Sequence, residues 1–442
     1  MRKLAYIAKQ VIDALTFSAP RPVEAGPIAQ SDLDASGAVE QESTASRNGD
    51  YAEALRLLRS LVEQGDVDAQ FSLGGMYEYG RGVTQSDAEA LKWYHLAAAQ
   101  GHASAQFNLG TMYEFGRGVV QNFAQALKWY CLAAEQDDSE AQSNLGNMYE
   151  SGQGVTQNEA EALKWWRLAA AQDDAKAQYN LGVMCADGRG VTQNDADALK
   201  WWRLAAEQGN ASAQFNLGVR YDNGRGVTQN DAEALKWFRL AAEQGHANAQ
   251  YNLASMYENG QVEPQNYAEA LKWYDLAAAQ GHASAQFNLA VIYQDGRGVT
   301  KNFAEALKWY HLAAVQGVAQ AQYNLGIMHF DARGVTQSSA EALKWWRLAA
   351  EQGSIDAQYN LGNMYGTGQG VSQNYAEARK WDLLAAAQGD AIAQTNLGVM
   401  YECGQGVTKN DAEALKWYNL AAEQGNAQAQ RNLRILLEKR GS

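Results

Sequence analysis

The sequence predicts an all-α solenoid, and three observations predict it. A 36-residue unit recurs ten times without slippage from Ala69 to Gln428, each copy opening with Ala-Gln at Ala69, Ala105, Ala141 and onward to Ala393. Each unit holds two helical apolar stripes separated by a glycine loop, and each places a good N-cap before its second stripe. Self-similarity at such a period marks stacked supersecondary units, each burying its apolar face against its neighbours. Helix-turn-helix repeats of this kind present a long surface rather than a single pocket.

Within the first unit, Ala69, Leu73, Met76 and Tyr77 fall at i, i+4, i+7 and i+8, one face of a helix that runs to about Tyr79. Gly74 removes a side chain where a neighbouring helix must come close. Gly80-Arg-Gly82, repeated as Gly116-Arg-Gly118 and Gly188-Arg-Gly190, follows a helix rather than a strand and lacks a third glycine. It reads as a left-handed helix stop, not as a phosphate loop.

The second helix starts after Ser86, Asn122, Asn158, Asn194, Asn230, Asn266, Asn302, Ser338, Asn374 or Asn410, with Glu89, Gln125, Glu161 or Asp197 three residues on. This is a capping box or a near variant: the cap oxygen takes a free backbone N–H, and the acid or amide reaches back to the cap's own N–H. Ala88, Leu91, Leu96 and the pair Trp93-Tyr94 make this helix apolar on more than one side. Ten of the thirteen tryptophans share the Trp93 phase, which marks core rather than a cofactor box. Burying Leu73, Tyr77, Leu91, Trp93 and Leu96 is expected to contribute about 1.5–3 kcal/mol each. Ordering the unit costs about 1–2 kcal/mol per residue, so no unit folds alone.

The organisation expected along the chain is a short amphipathic helix over 1–17, with Leu4, Ile7, Val11 and Leu15 on one face, and a disordered linker over 18–47 holding Pro20, Pro22 and Pro27. An N-terminal half-repeat cap follows over 48–68, then the ten repeats over 69–428 and a C-terminal capping helix over 429–442.

Composition narrows the function classes. A net charge of −14 without any lysine or arginine run argues against nucleic acid as a partner. No stretch approaches the length of an integral membrane segment. Lys9, Gln10 and Asp13 interrupt the apolar core that a signal peptide would need, so a cytoplasmic location is expected, with a periplasmic or secreted one as the alternative. Cys131, Cys185 and Cys403 fall at different places in the unit and form no C-x-x-C spacing, which excludes a per-unit disulfide framework. His102, His246 and His282 share one loop phase, His95 and His311 one helical phase, and neither set converges on a metal. No nucleophile motif or phosphate cradle occurs, so neither a catalytic residue nor a cofactor is expected.

The pattern A-Q-x-x-L-G-x-M-Y-x-x-G-x-G-V-x-x-(N/S)-x-A-E-A-L-K-W-Y-x-L-A-A-x-Q-G closely resembles the Sel-one-like repeat family, a lengthened relative of the tetratricopeptide repeat, over about 48–440. The resemblance implies a right-handed α-α superhelical solenoid whose members mostly serve as adaptor scaffolds, in bacterial signalling and host interaction among other settings. It also implies that first helices line a concave face. On those helices Asn108, Asn144, Asn180, Asn216, Asn252, Asn288, Asn324, Asn360 and Asn396 repeat one position, beside Phe107, Ser143, Tyr179, Phe215, Tyr251, Phe287, Tyr323, Tyr359 and Thr395.

A carboxamide both donates and accepts, so such a ladder is a candidate site for the backbone of an extended peptide, with the rings as anchors. The alternative is that each asparagine bonds within the array and the rings pack between helices. A non-catalytic adaptor for a protein or peptide partner is the leading expectation. A β-lactam-binding or hydrolytic relative and a self-assembling structural protein are the alternatives. Units that break the pattern form a second lead: Val262 and Pro264, Ala332 beside His329 and Phe330, and Arg379 with Asp382.

Overall fold

The computed structural model describes residues 51–441 apart from 53, 57 and 262; the expected helix at 1–17, the linker at 18–47 and Val262 lie outside the described residues. The described residues divide into two compact units between Ala213 and Gln214, inside the helix Ala211–Asn223. Each unit is built from antiparallel helix pairs, and among the described residues there is no strand. The protein is an all-α solenoid of 36-residue helix pairs.

The first repeat shows the construction. Asp66 accepts from the amide of Ala69 to start the helix Val67–Tyr79, which ends on Gly80 at φ 66. That left-handed turn is what the glycine supplies. Ser86 accepts from the amide of Glu89 to start Asp87–Ala99. The reciprocal half of the expected capping box does not form. The Ser86 amide donates instead to the Tyr77 carbonyl at 2.9 Å, as Asn122 does to Tyr113, closing the loop onto the end of the first helix. With the cap amide already used, Glu89 pairs with Lys92 at 2.6 Å.

Ala69, Leu73, Met76, Ala90, Tyr94, Ala97 and Ala98 form the buried core of the repeat. Leu96 does not join it. It is 48 % exposed, and the same phase is open from Leu168 through Leu420. Within each unit a second helix packs on its own first helix and on the first helix of the next repeat, as Asp87–Ala99 does on Val67–Tyr79 and Ala103–Phe115, which leaves its outer side to solvent. The tryptophans do belong to the core, at the seam between repeats: Trp93 packs on the cluster that joins Leu58 to Leu73, Trp129 on the one that joins Tyr94 to Leu109, Trp165 on the one that joins Tyr130 to Leu145. Stacking thereby supplies the burial that one repeat lacks.

A buried polar spine accompanies this apolar core. The second residue of the Ala-Gln opening is buried in every copy, from Gln70 to Gln394. Its side-chain oxygen accepts from the glutamine that ends the second helix thirty residues later, Gln100 to Gln70 through Gln424 to Gln394, in ten bonds of 2.7–3.0 Å. Its amide donates back to a second-helix carbonyl of the preceding repeat, as Gln106 does to Ala98 and Gln286 to Ala278. Gln106, Gln142, Gln178, Gln250, Gln286, Gln322, Gln358 and Gln394 are thus satisfied on both sides, which burial requires.

Both ends of the described chain continue the design. Residues 51–63 are helical apart from 53 and 57, and Leu58 packs under Leu73. At the other end Leu436 of the helix Ala427–Gly441 closes over Tyr418. Among the described residues no helix is long and apolar enough to cross a membrane.

Candidate functional site

The asparagine series lies half-buried along the first helices. What each carboxamide meets depends on a second-helix side chain fourteen residues earlier. In the first repeat that residue is Tyr94, whose ring lies so close over Gly74 that an added Cβ would stand 2.7 Å from it. Its hydroxyl donates to Glu78 at 2.6 Å, Arg117 of the next repeat grips the same carboxylate at 2.7 Å, and Asn108 faces the hydroxyl. Burial, reinforced by the Glu78 carboxylate, pushes the Tyr94 hydroxyl well above the ordinary tyrosine range. It is a fixed donor, never a phenolate, at physiological pH.

The same network recurs as Asn288, which donates to Tyr274 at 2.9 Å, with Tyr274 on Glu258 and Arg297 on Glu258. Asn144 faces Tyr130, Asn324 faces Tyr310, and Asn360 meets the hydroxyl of Tyr323. Asn396 donates to Asp382 at 3.4 Å, and Asn180 to Asn147 at 2.9 Å. Asn216 and Asn252 are half-buried like the rest, and at the tyrosine phase before Asn252 stands Phe238.

The neighbouring rings are also half-buried. Phe107 tilts against Tyr130 at 5.8 Å, Phe215 against Phe238 at 6.0 Å, Tyr251 against Tyr274 at 5.8 Å and Phe287 against Tyr310 at 5.8 Å. Phe215 and Tyr251 stack in addition on the loop histidines His246 and His282. Tyr323 packs on the Trp346 cluster, and Tyr179 and Tyr359 hold the same half-buried phase. The loop histidines are N-caps: His102 Nδ1 accepts from Ala105 at 3.2 Å, and burial lowers its pKa. Among the described residues no group of three or more metal-ligating side chains converges.

One stretch of the first-helix face is hollow. Ser143 stands where Phe107 and Tyr179 carry rings, and around it opens a groove of about 850 Å³ lined by Phe107, Asn144, Asn147, Lys176 and the carboxylates of Glu114, Glu140, Asp173 and Asp174. Its frame is hydrogen-bonded. Ser143 donates to Asp174 at 3.1 Å, and Asp174 caps the helix Ala175–Asp187 through the amide of Ala177. The Asn147 oxygen accepts from both Trp166 and Asn180, which aims its amide N–H groups away from the core. Four carboxylates against one lysine give the groove a negative potential, and Asn147 adds donors. Asn147 escaped notice in the sequence because its phase holds Gly75, Thr111 and Val183 elsewhere. The one signal was the missing ring at Ser143.

Comparison with known proteins agrees with this architecture. The Sel1 repeat matches ten consecutive stretches, from 67–102 to 391–426. The chain is similar to the crystal structure of c5321, a protective antigen present in uropathogenic Escherichia coli strains displaying an SLR fold. Identity there is 35 %, coverage 91 % of this chain and 90 % of that one, and the TM-score 0.76. A Sel1 repeat protein from Oxalobacter formigenes is 31 % identical over 80 % of this chain and 99 % of its own, with a TM-score of 0.53. No curated protein matches the sequence. With ten matched units covering residues 67–426, the chain belongs to the Sel1 repeat family.

Proposed function

We propose that the protein is a non-catalytic scaffold that holds an extended, basic segment of a partner protein along its first-helix face, seated in the groove around Ser143. The observation that carries this reading is the groove itself: a hollow of about 850 Å³, acidic and framed by rigid hydrogen bonds, in an array whose other first helices fill the same phase with rings or threonine. Asn144 and Asn147 suit a peptide backbone, which offers a donor and an acceptor at each residue. The carboxylates suit lysine and arginine side chains, and Phe107 offers an apolar wall. Where an asparagine already faces a buried tyrosine it contributes rigidity first and peptide contact second.

The test is fluorescence anisotropy with a labelled lysine-rich decapeptide. Ser143→Phe restores the ring that neighbouring repeats carry and should weaken binding at least about tenfold, whereas Asn324→Ala in the other compact unit should leave it unchanged. Binding should also fall with added salt, since the recognition is largely electrostatic. Equal affinity of Ser143→Phe and the unsubstituted chain would remove the groove from the account.

A further inference from the structure

Glutamates near the ends of the first helices are bridged from one repeat to the next by an arginine 39 residues on. Arg117 grips Glu78 at 2.7 Å, Arg189 grips Glu150 at 2.7 Å, Arg297 grips Glu258 at 3.3 Å, and Lys439 takes the same part for Glu402 at 3.0 Å. Glu114 holds the same phase without that cation, because Gln153 stands where the arginine would be. Gln153 is exposed, and the one hydrogen bond to the Glu114 carboxylate comes from the Tyr130 hydroxyl, on Oε2. Oε1, the oxygen that receives the guanidinium in Glu78, Glu150 and Glu258, has no donor among the described residues. Glu114 is only half-buried, and that oxygen is not sealed in.

The ring beside this carboxylate is open as well. Phe115 is 66 % exposed, at a phase that holds Ser151, Asp187 and Asn223 in the repeats that follow. Tyr79, its counterpart in the first repeat, carries the Arg81 guanidinium over its face at 5.1 Å. Arg117, which stands behind Phe115 as Arg81 stands behind Tyr79, is drawn away to Glu78 and to the Thr111 hydroxyl at 3.1 Å. Glu114 and Phe115 both line the groove around Ser143. A carboxylate oxygen and an exposed ring therefore adjoin one another where a neighbouring repeat seats guanidinium groups of this same chain.

We propose that Glu114 and Phe115 form an arginine-selective end of the groove, which seats the guanidinium of an arginine in the partner segment. This rests on the reading that the groove receives a basic segment, and it names the basic residue carried at this end. The guanidinium donates to Glu114 Oε1 as Arg117 does to Glu78, while its flat face lies on the Phe115 ring as that of Arg81 lies over Tyr79. Tyr130 on Oε2 holds the carboxylate in the way that Tyr94 holds Glu78, so the acceptor is oriented before the partner arrives. A lysine ammonium brings the charge but no flat face to stack.

The experiment uses the full chain and two labelled decapeptides, the lysine-rich one and its copy with every lysine replaced by arginine, read by fluorescence anisotropy. The arginine peptide should bind at least about tenfold more tightly. Glu114→Gln keeps an acceptor for Tyr130 and removes the charge, and Gln153→Arg supplies the missing cation from within; each should reduce the preference to about twofold or less. The second variant keeps the test valid if the first unfolds. Gln405→Arg, which adds the same charge at the same phase in the other compact unit, should leave the preference intact. Equal affinities in the unsubstituted chain, no binding of either peptide, or a preference that survives Glu114→Gln or Gln153→Arg would overturn the proposal. If Ser143→Phe weakens both peptides while the preference survives Gln153→Arg, the groove reading holds and the arginine site falls. If Ser143→Phe weakens neither while Gln153→Arg removes the preference, the groove reading falls and the arginine site remains.

Discussion

Asp382 gives the stability of repeat nine a pH dependence that runs opposite to that of an ordinary paired carboxylate. Burial is the main cause that lifts its pKa from 3.8 to about 7, with Asp390 adding to the rise and the Asn396 bond opposing it. In the unfolded chain the group ionises near its ordinary value, so the folded state holds a proton that the unfolded state has lost. The contribution of this raised group is fully present below about pH 4 and is lost as pH climbs through about 7. Three pK units at about 1.36 kcal/mol each amount to roughly 4 kcal/mol across the whole window, of which about 2 kcal/mol falls between pH 5 and 7.

Repeat arrays open locally, so the suitable readout is amide exchange of residues 355–403 by mass spectrometry rather than a global melt. Protection in the unsubstituted chain should fall from about pH 5 to 7 after correction for intrinsic exchange, while Asp382→Asn should hold a constant level. Parallel profiles for the two proteins would refute the argument, because the amide variant keeps the size of the side chain and removes only its titration.

Three further expectations follow from other residues. Burial lowers the pKa of His102, His246 and His282, each of which caps a helix through Nδ1, so their contribution is present above about pH 6.5 and lost as pH falls toward the lowered folded values. The triple change to asparagine, the cap already used at Asn210, should flatten thermal stability between about pH 7 and 5. Gln286→Leu removes two hydrogen bonds, the one to the Ala278 carbonyl, which keeps the Gly281 amide, and the one from Gln316, and should cost about 1–3 kcal/mol in urea unfolding, whereas Gln261→Leu on the exposed loop should cost almost nothing. Ala332 sits at φ 57 where other repeats end the helix with glycine, so Ala332→Gly should raise stability by about 0.5–1 kcal/mol in the same assay.

Local chemistry was legible in the sequence wherever one residue type meets a demand of its own backbone. The caps at Ser86 and Asn122 and the glycine stops at Gly80 and Gly116 stand where the sequence places them. Contacts that depend on which helix ends meet were not legible. Gln70 and Gln100 recur as faithfully as the tryptophans, yet their pairing is visible only once the end of one helix lies over the start of another. Leu96 looked like core because its helix is apolar on several sides, and only the packing order shows which side faces water.

The asparagine phase illustrates the same limit, since its partner is fixed fourteen residues earlier. Trp202 and Trp346 replace the tyrosine where Ala186 and Phe330 replace the glutamate, though Trp166 keeps Glu150, and what these positions share is visible only after Tyr94 is seen on Glu78. The departures at Asp382 and Ala332 stood out in the sequence as breaks in a rule. What each break does to the space around it needed the neighbouring helices.

Amide exchange of the full chain with and without the lysine-rich decapeptide tests the central claim most directly, because it locates the occupied surface without any substitution. The groove reading predicts slowed exchange in Ser139–Ser151 and in residues 172–176, which border Ser143, with the outer faces of the second helices around Leu168 and Leu204 unchanged. Protection confined to those outer faces, or none in Ser139–Ser151 at saturating peptide, would contradict it.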